Sequence, residues 1–582
     1  MPEQKDTTAP NQVIAVVGAT GYVGGRLVPL LLAAGYRVRA VGRSLVKLQN
    51  RPWAHHDNIE LVSCDVLDAN ALDGALAGCS AAYYLVHSMS PLNRDFAQTD
   101  RIAAEQFRDA AGRVGLKRII YLSGLGEDTP KLSKHLQSRA EVARILQTGP
   151  VPVTVLRAAM IIGSGSASFE ILRYLVDRLP VMATPSWVRT PSQPIAIRNV
   201  LGYLIGCLQT PEIFNAPGNE TYDIGGPDVL SYEDLIVLYA RVARLAKRWI
   251  IPVPVMTPRL SSYWIHFVTP ISAALARPLT EGLRNPVVCQ ENRIRDLIPQ
   301  ELISCEEAIA RALERTQAGL IETHWSDAGP LYPGPEGLLK PLKPPSVPAG
   351  ANSAEVTHSA TNLDAAMPPE QAHPGDPSWA GGTVFTDTRE LCLLSDAGHV
   401  WPIIVRIGGN TGYYYGNWLW RLRGLLDVLF GGYGLRRGRR HPTELRVGDA
   451  LDFWRVIDVV PDRRLLLRAE MKLPGTAFLS FDVCEYCDPK QAPKRLQKRW
   501  QHLSVAKSSN RVITRITQTA TFIPKGLPGI LYWYAVMPLH HFVFNGMLFG
   551  IAVAGGFQAS QCVGPLQVTP EKSGKHNARH AA

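Results

Sequence analysis

The chain has 582 residues, which is too long for a single hydrophobic core, so we expect two or more domains. Its apolar and charged fractions, 46% and 19%, are those of an ordinary globular protein and exclude a fibrous or fully disordered one. The net charge of +11 would suit nucleic acid or an anionic membrane. No Lys/Arg-rich tract with interleaved aromatic residues spans a domain, however, so we expect no nucleic-acid function.

The nine cysteines are scattered, except for a C-x-x-C motif formed by Cys484 and Cys487. A zinc site needs a second Cys or His pair nearby, and none follows, so we expect no metal. Reduced thiols are the default for such a chain, and residues 1–11 are polar without the pattern of a signal peptide. We therefore expect a cytoplasmic protein whose first eleven residues are disordered.

Residues 13–25 read V-I-A-V-V-G-A-T-G-Y-V-G-G and predict a nucleotide-binding βαβ unit. Five apolar residues form a buried strand, a glycine turn follows, and residues 22–34 form a helix. Gly18 permits the tight turn, Gly21 lets the backbone approach a pyrophosphate, and Gly24 lets the helix pack against the strand. The helix N-terminus then binds the phosphates. The cofactor-binding residues predicted in this loop are Gly18, Thr20, Gly21, Tyr22, Val23 and Gly24.

Basic residues follow the second predicted strand, residues 37–41, where an NAD site usually places an acidic residue. The cluster consists of Arg39, Arg43, Ser44 and Lys47. A guanidinium binds a 2′-phosphate through charge-assisted hydrogen bonds, so Arg43 with Ser44 predicts NADP(H) in preference to NAD(H). The alternative is that Arg39 and Lys47 are simply solvated.

Strands and helices continue to alternate along the first half of the chain. Strands are predicted at residues 59–66, 81–86, 118–123 and 153–157, with helices at residues 68–76 and 95–114. This spacing predicts an α/β fold with a doubly wound parallel sheet, a Rossmann domain. Ligands bind such sheets at the carboxyl ends of the strands, so we expect Asp65 and Val66 near the adenine and His87 and Ser123 further along the same crevice.

Up to about residue 325 the chain resembles the atypical or extended short-chain dehydrogenases/reductases of the NAD(P)H-binding, NmrA-like kind. It also resembles the group of the complex I 39 kDa subunit. The matching motifs are G-A-T-G-Y-V-G (18–24), D-V (65–66), Y-L-S-G (121–124) and V-L-R (155–157), which leads to Gly163. The resemblance implies the fold and the cofactor.

Catalytic members of this superfamily carry Tyr-x-x-x-Lys on the helix after Ser123, and this chain carries His135 and Arg139 at the same spacing. The i,i+4 spacing puts two side chains on one helix face. A histidine can act as an acid or base near neutral pH, and an arginine can bind a ribose or phosphate. The predicted catalytic residues are Ser123, His135 and Arg139. The alternative is that Arg139 and Glu141 belong to a charged helix face.

The first domain is predicted to span residues 12–328 and to include a small substrate subdomain with a helix at 231–246, capped by Ser231 and Asp234. Residues 329–382 are rich in Pro and Ala and predict a flexible linker. Residues 383–560 predict a second domain, and residues 561–582 a disordered tail.

Strands in the second domain are predicted at residues 401–406, 450–456, 464–471, 477–483 and 511–522. Several of them alternate apolar with polar residues, as in an antiparallel sheet. The apolar stretch 529–557 is interpreted as a buried helix, with interfacial membrane contact and a membrane span as alternatives, because polar residues interrupt it. This arrangement resembles the START/SRPBCC helix-grip fold. The segment F-I-P-K-G-L-P-G-I-L-Y-W-Y (522–534) resembles an uncharacterised C-terminal domain of some bacterial relatives.

Aromatic residues Tyr413 to Tyr415, Trp418 and Trp420 precede a basic run, residues 436–440. We interpret them as a lid beside a solvated loop, with contact to nucleic acid or anionic lipid as the alternative.

These observations predict an NADPH-dependent oxidoreductase that reduces an apolar carbonyl, enone or quinone-like molecule. The alternatives are a non-catalytic, NADP(H)-responsive sensor or assembly protein, and a protein that binds apolar ligands or lipids through its C-terminal domain.

Overall fold

The computed structural model describes residues 12–87, 96–126, 133–253, 262, 265, 268–269, 273–282, 284–328, 384–486, 512–557 and 562–568. They form two compact units. The first unit contains the described residues up to 328 together with 408–412 and 418–456, and the second contains the rest. The predicted linker and the N-terminal eleven residues lie outside the described residues. The predicted disordered tail is wrong in part, because residues 562–568 form a strand.

A seven-stranded parallel sheet forms the centre of the first unit, as the sequence predicted. Its strands are Val13–Val17 (β1), Arg37–Gly42 (β2), Ile59–Ser63 (β3), Ala81–Tyr84 (β4), Arg118–Gly124 (β5), Val153–Ala158 (β6) and Glu220–Ile224 (β11). The strand order is β3-β2-β1-β4-β5-β6-β11. Every neighbouring pair runs parallel, with Ala15 aligned to Arg39 on one side and to Ala82 on the other. This is the doubly wound arrangement of a Rossmann fold.

Helices cover both faces of this sheet. They are Gly24–Ala33 (α1), Leu45–Gln49 (α2), Ala69–Leu76 (α3), Phe96–Val114 (α4), Lys134–Gln147 (α5), Ile197–Gln209 (α7) and Pro211–Phe214 (α8). Alternate residues of β1 face opposite sides, because side chains alternate along a strand. Ile14 and Val16 pack with α1 and α7, whereas Ala15 and Val17 pack with α3, α4 and α5.

A smaller layer follows the sheet within the first unit. Its elements are Ile161–Ile162 (β7), Ala167–Arg178 (α6), Val181–Thr184 (β8), Pro191–Ser192 (β9), Ile195–Ala196 (β10), Leu230–Ser231 (β12), Tyr232–Val242 (α9), Trp249–Pro252 (β13), Ala273–Gly282 (α10), Arg293–Leu297 (α11) and Cys305–Gln317 (α12). The predicted capping box is confirmed. The Ser231 hydroxyl accepts from the Asp234 backbone N–H at 3.1 Å, and the Asp234 carboxylate accepts from the Ser231 backbone N–H at 2.9 Å.

The first unit also includes a segment that the sequence assigned to the second domain. It contains Asn417–Leu429 (α14), Ala450–Leu451 (β15) and the start of Trp454–Val460 (β16). The single strand predicted at 450–456 is wrong, because Asp452 has a φ of 53° and turns the chain into a hairpin. Arg440 and Arg455 attach this segment to the carbonyls of Ile321 and Ser326, each at 3.4 Å.

Among the described residues, antiparallel strands and two helices form the second unit. They are Phe385–Leu394 (β14), Ala397–Ile404 (α13), Arg464–Ala469 (β17), Gly475–Tyr486 (β18), Ile513–Pro524 (β19), Gly526–Ala554 (α15) and Cys562–Val568 (β20), and the strands are paired in the order β17-β18-β19-β14-β20. The strand predicted at 401–406 is wrong: the Asp396 carboxylate accepts from the His399 N–H at 2.7 Å and starts α13 there. The antiparallel sheet is confirmed, and the helix-grip relationship stays a prediction.

Helix α15 is long and apolar enough to cross a bilayer by length and composition alone. A third of its most apolar window is buried inside the protein. The interpretation as a buried helix is wrong in part, because Leu531, Tyr534 and Phe542 are exposed, whereas Met547, Leu548 and Ile551 are buried. Length and composition by themselves give only weak support for a membrane span.

Candidate dinucleotide site

The predicted site residues follow the carboxyl ends of adjacent strands. Gly18 follows β1, Arg43 follows β2 and Asp65 lies two residues after β3, while His87 lies just beyond β4 and Ser123 near the end of β5. All five strands are parallel, so these positions share one edge of the sheet. The strand order reverses between β1 and β4, which is where ligands bind in doubly wound sheets.

The first loop forms a glycine cradle in which the backbone packs so closely at two positions that a side chain would clash with it. Gly18 has a φ of 96°, and a Cβ there would lie 2.7 Å from the Leu85 carbonyl oxygen. A Cβ on Gly24 would lie 2.4 Å from the Gly18 carbonyl oxygen. The side chain of the N-cap residue, Val23, makes no capping hydrogen bond to α1. The residues present therefore fit the pyrophosphate of a dinucleotide.

Residues 321–328, which we call the strap, are connected to this loop by hydrogen bonds, directly and through Arg51. The Thr323 hydroxyl donates to the Tyr22 carbonyl at 2.8 Å, and Arg51 donates to the Thr20 carbonyl at 2.7 Å. Arg51 also pairs with the Asp327 carboxylate at 3.2 Å. Burial raises the pKa of Asp327, but the Arg51 guanidinium and then His324 outweigh it and leave that pKa below its ordinary value. Sequence reasoning missed this strap, because its contacts join residues almost 300 positions apart.

In the structure, only two of the four residues of the predicted cationic cluster remain candidates for contact with the cofactor. Arg39 donates to the Glu60 carboxylate at 2.7 Å and to two carbonyls beside α3, so it does not face the cofactor. Lys47 is buried and donates to the Asp327 carbonyl at 2.8 Å. The prediction that these two residues join the cluster is wrong, and neither is simply solvated. Arg43, which is exposed, and Ser44, whose hydroxyl caps α2, remain.

Lys47 provides a pH-dependent test of this arrangement. Burial, and then the positive charge of Arg455, lower its pKa from 10.5 to about 7. Between these pH values the unfolded chain holds a proton that the folded chain lacks, so the free energy of unfolding rises with pH, by at most ~1.4 kcal/mol per unit. We expect Lys47→Met to remove this slope in urea titrations, with exposed Lys117→Met as the control. Parallel wild-type and Lys47→Met curves would contradict the assignment.

At the end of β3, Asp65 keeps its predicted place. Its carboxylate accepts from the Leu67 N–H at 3.0 Å and stays exposed, while Val66 is buried. This placement is compatible with the predicted contact to an adenine. The adenine-binding role of Asp65 and Val66 stays a prediction.

The second cluster lies at the end of β5 and on the facing helix α5. The Ser123 hydroxyl donates to the Arg139 carbonyl at 3.3 Å, and the Tyr121 hydroxyl donates to the same carbonyl at 3.4 Å. The Arg139 guanidinium is buried and lies 3.8 Å from the Asp100 carboxylate. Arg139 is thus part of the interior rather than of a charged helix face. Glu141 does lie on that face and pairs with Arg101 at 2.8 Å.

His135 is neutral in this environment. Burial, and then the positive charge of Arg139, lower its pKa to about 3. Protein atoms around the His87 ring, and then Arg139, lower the pKa of His87 to about 4, although its side chain keeps an exposed surface. Within the described residues, Arg139 Nη2 and His135 Nδ1 have no hydrogen-bond partner. The site therefore presents the Arg139–Asp100 ion pair beside two imidazoles that stay neutral at neutral pH, so neither histidine holds a proton to give to a substrate there.

Asp100 is the site residue that sequence reasoning missed here. It lies three, four and seven residues before Ala103, Ala104 and Phe107, which are buried, so it occupies the apolar face of α4. Its carboxylate accepts from the Ser138 hydroxyl at 3.2 Å. An acidic residue at core spacing was the available signal, because such residues are almost never buried without a partner.

The fold and the glycine cradle define an NAD(P)-binding Rossmann domain. Residues 10–195 match the NmrA-like family, and residues 379–547 match a family described as a protein of unknown function (DUF2867). The first region is thus similar to the NmrA-like family, as the resemblance implied. The SRPBCC-like resemblance of the second region stays a prediction.

Curated relatives match part of the chain. Cinnamoyl-CoA reductase 1 of Oryza sativa subsp. japonica is 32% identical over 122 residues, which are 20% of this chain and 35% of that protein. Ceramide reductase of Caulobacter vibrioides is 26% identical over 204 residues, 34% of this chain and 62% of that protein. NADH dehydrogenase [ubiquinone] 1 alpha subcomplex subunit 9 of Arabidopsis thaliana is 23% identical, over 42% of this chain and 61% of that protein. The chain thus spans about a third of the length of the cinnamoyl-CoA reductase.

Solved structures with a similar fold include a nucleoside-diphosphate-sugar epimerase from Staphylococcus aureus. It has a TM-score of 0.42 and 14% identity, and the match covers 51% of this chain and 99% of that one. UDP-glucuronic acid 4-epimerase from Bacillus cereus, in complex with NAD, has a TM-score of 0.40 and 14% identity, covering 53% of this chain and all of that one.

Proposed function

We propose that the first unit is an NADP(H)-dependent reductase of an apolar carbonyl, enone or quinone-like molecule. The observation that carries this proposal is the buried Arg139 guanidinium, whose Nη2 lies 3.8 Å from the Asp100 carboxylate but makes no hydrogen bond among the described residues. It lies on the helix, and at the position, where related reductases place their Tyr/Lys pair. A fixed cation in a buried site can stabilise negative charge on a substrate oxygen.

The cofactor would be held by the glycine cradle and by the residues after β2. Gly18 and Gly24 allow the tight turn that would direct the backbone N–H groups at the start of α1 toward the pyrophosphate. Arg43 and Ser44 would bind the 2′-phosphate that distinguishes NADPH from NADH. When bound, NADPH supplies a hydride for the carbonyl carbon.

Arg139 would polarise the substrate carbonyl, and Ser123 would position the helix that carries Arg139. Arg139 would hold the substrate oxygen as negative charge develops on it, and the proton that completes the alcohol would come from solvent, because His135 is neutral. Ser123 donates its hydroxyl to the Arg139 carbonyl and so fixes α5 against β5. The names of two relatives, a cinnamoyl-CoA reductase and a ceramide reductase, support reduction of an apolar substrate.

A second candidate is a non-catalytic sensor or assembly protein that responds to NADP(H). The absence of the Tyr/Lys pair at His135 and Arg139 favours it, because neither residue can replace the tyrosine as a proton donor at neutral pH. The similarity to a subunit of a respiratory dehydrogenase supports it too.

Titration with NADPH and NADH tests the cofactor assignment. We expect Arg43→Ala to weaken NADPH binding about tenfold or more, since charge-assisted hydrogen bonds contribute ~1.5–3 kcal/mol, and to change NADH binding little. Arg37→Ala, an exposed residue at the opposite end of β2, is the matched control. Equal losses for both nucleotides would contradict a 2′-phosphate role for Arg43.

Single-turnover oxidation of bound NADPH by a panel of quinones and enones then separates the two candidate functions. A reductase is expected to lose about 100-fold or more in rate in Arg139→Met, as when one oxyanion-stabilising donor is removed, and to keep more in Arg139→Lys. Arg144→Met, on the exposed side of α5, is the control. Tight NADPH binding without oxidation by any acceptor would favour the sensor.

A further inference from the structure

Helix α14 exposes an apolar face to solvent. The exposed large side chains are Trp418, Leu422, Leu425, Leu426, Leu429 and, one residue beyond the helix, Phe430, with exposed fractions from 42% to 75%. Trp418, Leu422, Leu425 and Leu429 follow one another at intervals of three and four residues, and Leu426 and Phe430 lie beside them at the same spacing from Leu422 and Leu426, so the six form one apolar face, the 418–430 face. A helix at the surface of a water-soluble protein normally turns such a stripe inward.

The orientation of α14 is fixed by its opposite side. Asp427 is fully buried and its carboxylate accepts from the Gly434 N–H at 2.8 Å. Its carbonyl accepts from the Gly432 N–H at 2.7 Å. Gly424 packs against Leu435, where an added Cβ would lie 3.0 Å from the leucine side chain. The helix therefore cannot rotate its apolar stripe inward without breaking these contacts.

The charge around this face has one sign. Residues 417–440 contain six arginines, and Asp427, their one acidic residue, is buried. Arg421 is exposed in the same stripe, between Trp418 and Leu422. Part of the basic run 436–440 is tied into the fold, as in the buried pair between Arg440 and Asp449 at 3.0 Å, so it is not the solvated loop that the sequence suggested. Its charge nevertheless adds to the local potential.

We propose that the 418–430 face docks on an anionic lipid bilayer and lies in the interface plane. Apolar side chains enter the acyl region, Trp418 marks one end of the stripe at headgroup level, and Arg421 meets lipid phosphates. A second copy of the chain is a poorer occupant, since it would place like charges opposite one another. Thirteen residues span about 20 Å, which is too short to cross a bilayer. This inference is independent of the proposed reductase function.

Co-sedimentation of the full chain with vesicles tests the proposal. We expect binding to phosphatidylcholine vesicles that contain about 30% phosphatidylglycerol, weaker binding to pure phosphatidylcholine, and a decrease at high salt. The triple variant Leu425→Ser, Leu429→Ser, Phe430→Ser should lose at least about tenfold in partitioning, because it removes apolar surface that would be buried in lipid. All three side chains are exposed, so the fold should persist, which an unchanged circular-dichroism spectrum and urea unfolding midpoint would verify.

The matched control is Val237→Ser, Trp249→Ser, Leu320→Ser, three exposed apolar residues of the same unit, which should bind vesicles like the wild type. A folded wild-type chain that does not bind anionic vesicles would overturn the proposal, as would a 425/429/430 variant that binds them fully. If that variant instead changes the elution volume from an oligomer to a monomer, the face is an interface between copies. If only Leu531→Ser, Phe542→Ser on α15 abolishes vesicle binding, the contact lies on that helix.

Discussion

Gly24→Ala is expected to weaken dinucleotide binding by about 100-fold or more, equivalent to ~3 kcal/mol. The added Cβ would lie 2.4 Å from the Gly18 carbonyl oxygen and 2.9 Å from its carbonyl carbon. These are backbone atoms of the turn itself, so no side chain can rotate away to relieve the contact. Helix α1 must move off the strand, and its N-terminal N–H groups then no longer point at the phosphates.

The same substitution at Gly74 is the control. Gly74 lies inside helix α3 of the same sheet layer, and an added Cβ meets nothing within 4 Å. Gly74→Ala should therefore leave binding unchanged and stabilise the unit by roughly 0.5–1 kcal/mol through helix propensity. Isothermal titration of both variants with NADPH measures the contrast. If Gly24→Ala binds NADPH like the wild type, residues 18–24 do not form the phosphate site.

Asp327→Ala is expected to destabilise the first unit by about 3–5 kcal/mol, because it leaves the buried Arg51 guanidinium without its carboxylate. Arg51 and Asp327 are both largely buried and lie 3.2 Å apart, and the carboxylate also accepts from the His324 N–H at 3.0 Å. Arg51 holds the Thr20 carbonyl in the glycine turn, so dinucleotide affinity should fall as well.

An exposed pair of the same chemistry provides the comparison. Asp73 pairs with Arg113 at 2.7 Å, with about half of each side chain exposed. Asp73→Ala should cost less than about 1 kcal/mol, as exposed ion pairs do. Urea unfolding of both variants, monitored in the first unit, measures the difference, and Asp327→Asn separates the charge from the hydrogen bond. Equal losses at the two positions would show that the 321–328 strap does not support the loop.

The sequence pattern predicted secondary structure correctly where short-range interactions within one segment determine it. The apolar run before Gly18 could only be a buried strand, and the Ser231/Asp234 capping box fixed the start of α9. The pattern failed at residues 401–406, where β-branched residues predicted a strand. The Asp396 carboxylate binds the His399 N–H and starts a helix instead, and a single cap outweighed the propensity of the residues that follow.

The contacts that individual charged side chains make could be assigned only from the tertiary structure. Arg39 and Arg43 look equivalent in the sequence, but Arg39 lies within β2 and Arg43 follows its last residue. Glu60 on the neighbouring strand binds Arg39, and Arg43 lies beyond the strand end. The sequence allowed Lys47 and Arg139 to be surface cations. In the fold both are buried, and each contacts a residue far away in the chain, Asp327 and Asp100 respectively.

The sequence by itself determined the class of fold, because that depends on residues close together in the chain: a strand, a glycine turn, a helix and their repetition. Only the tertiary structure decided which charges face the predicted crevice, that residues 418–456 belong with the first unit, and that α14 turns its apolar stripe outward. Those properties depend on contacts between residues far apart in the chain, and hydrophobic periodicity identifies an apolar face without saying what covers it.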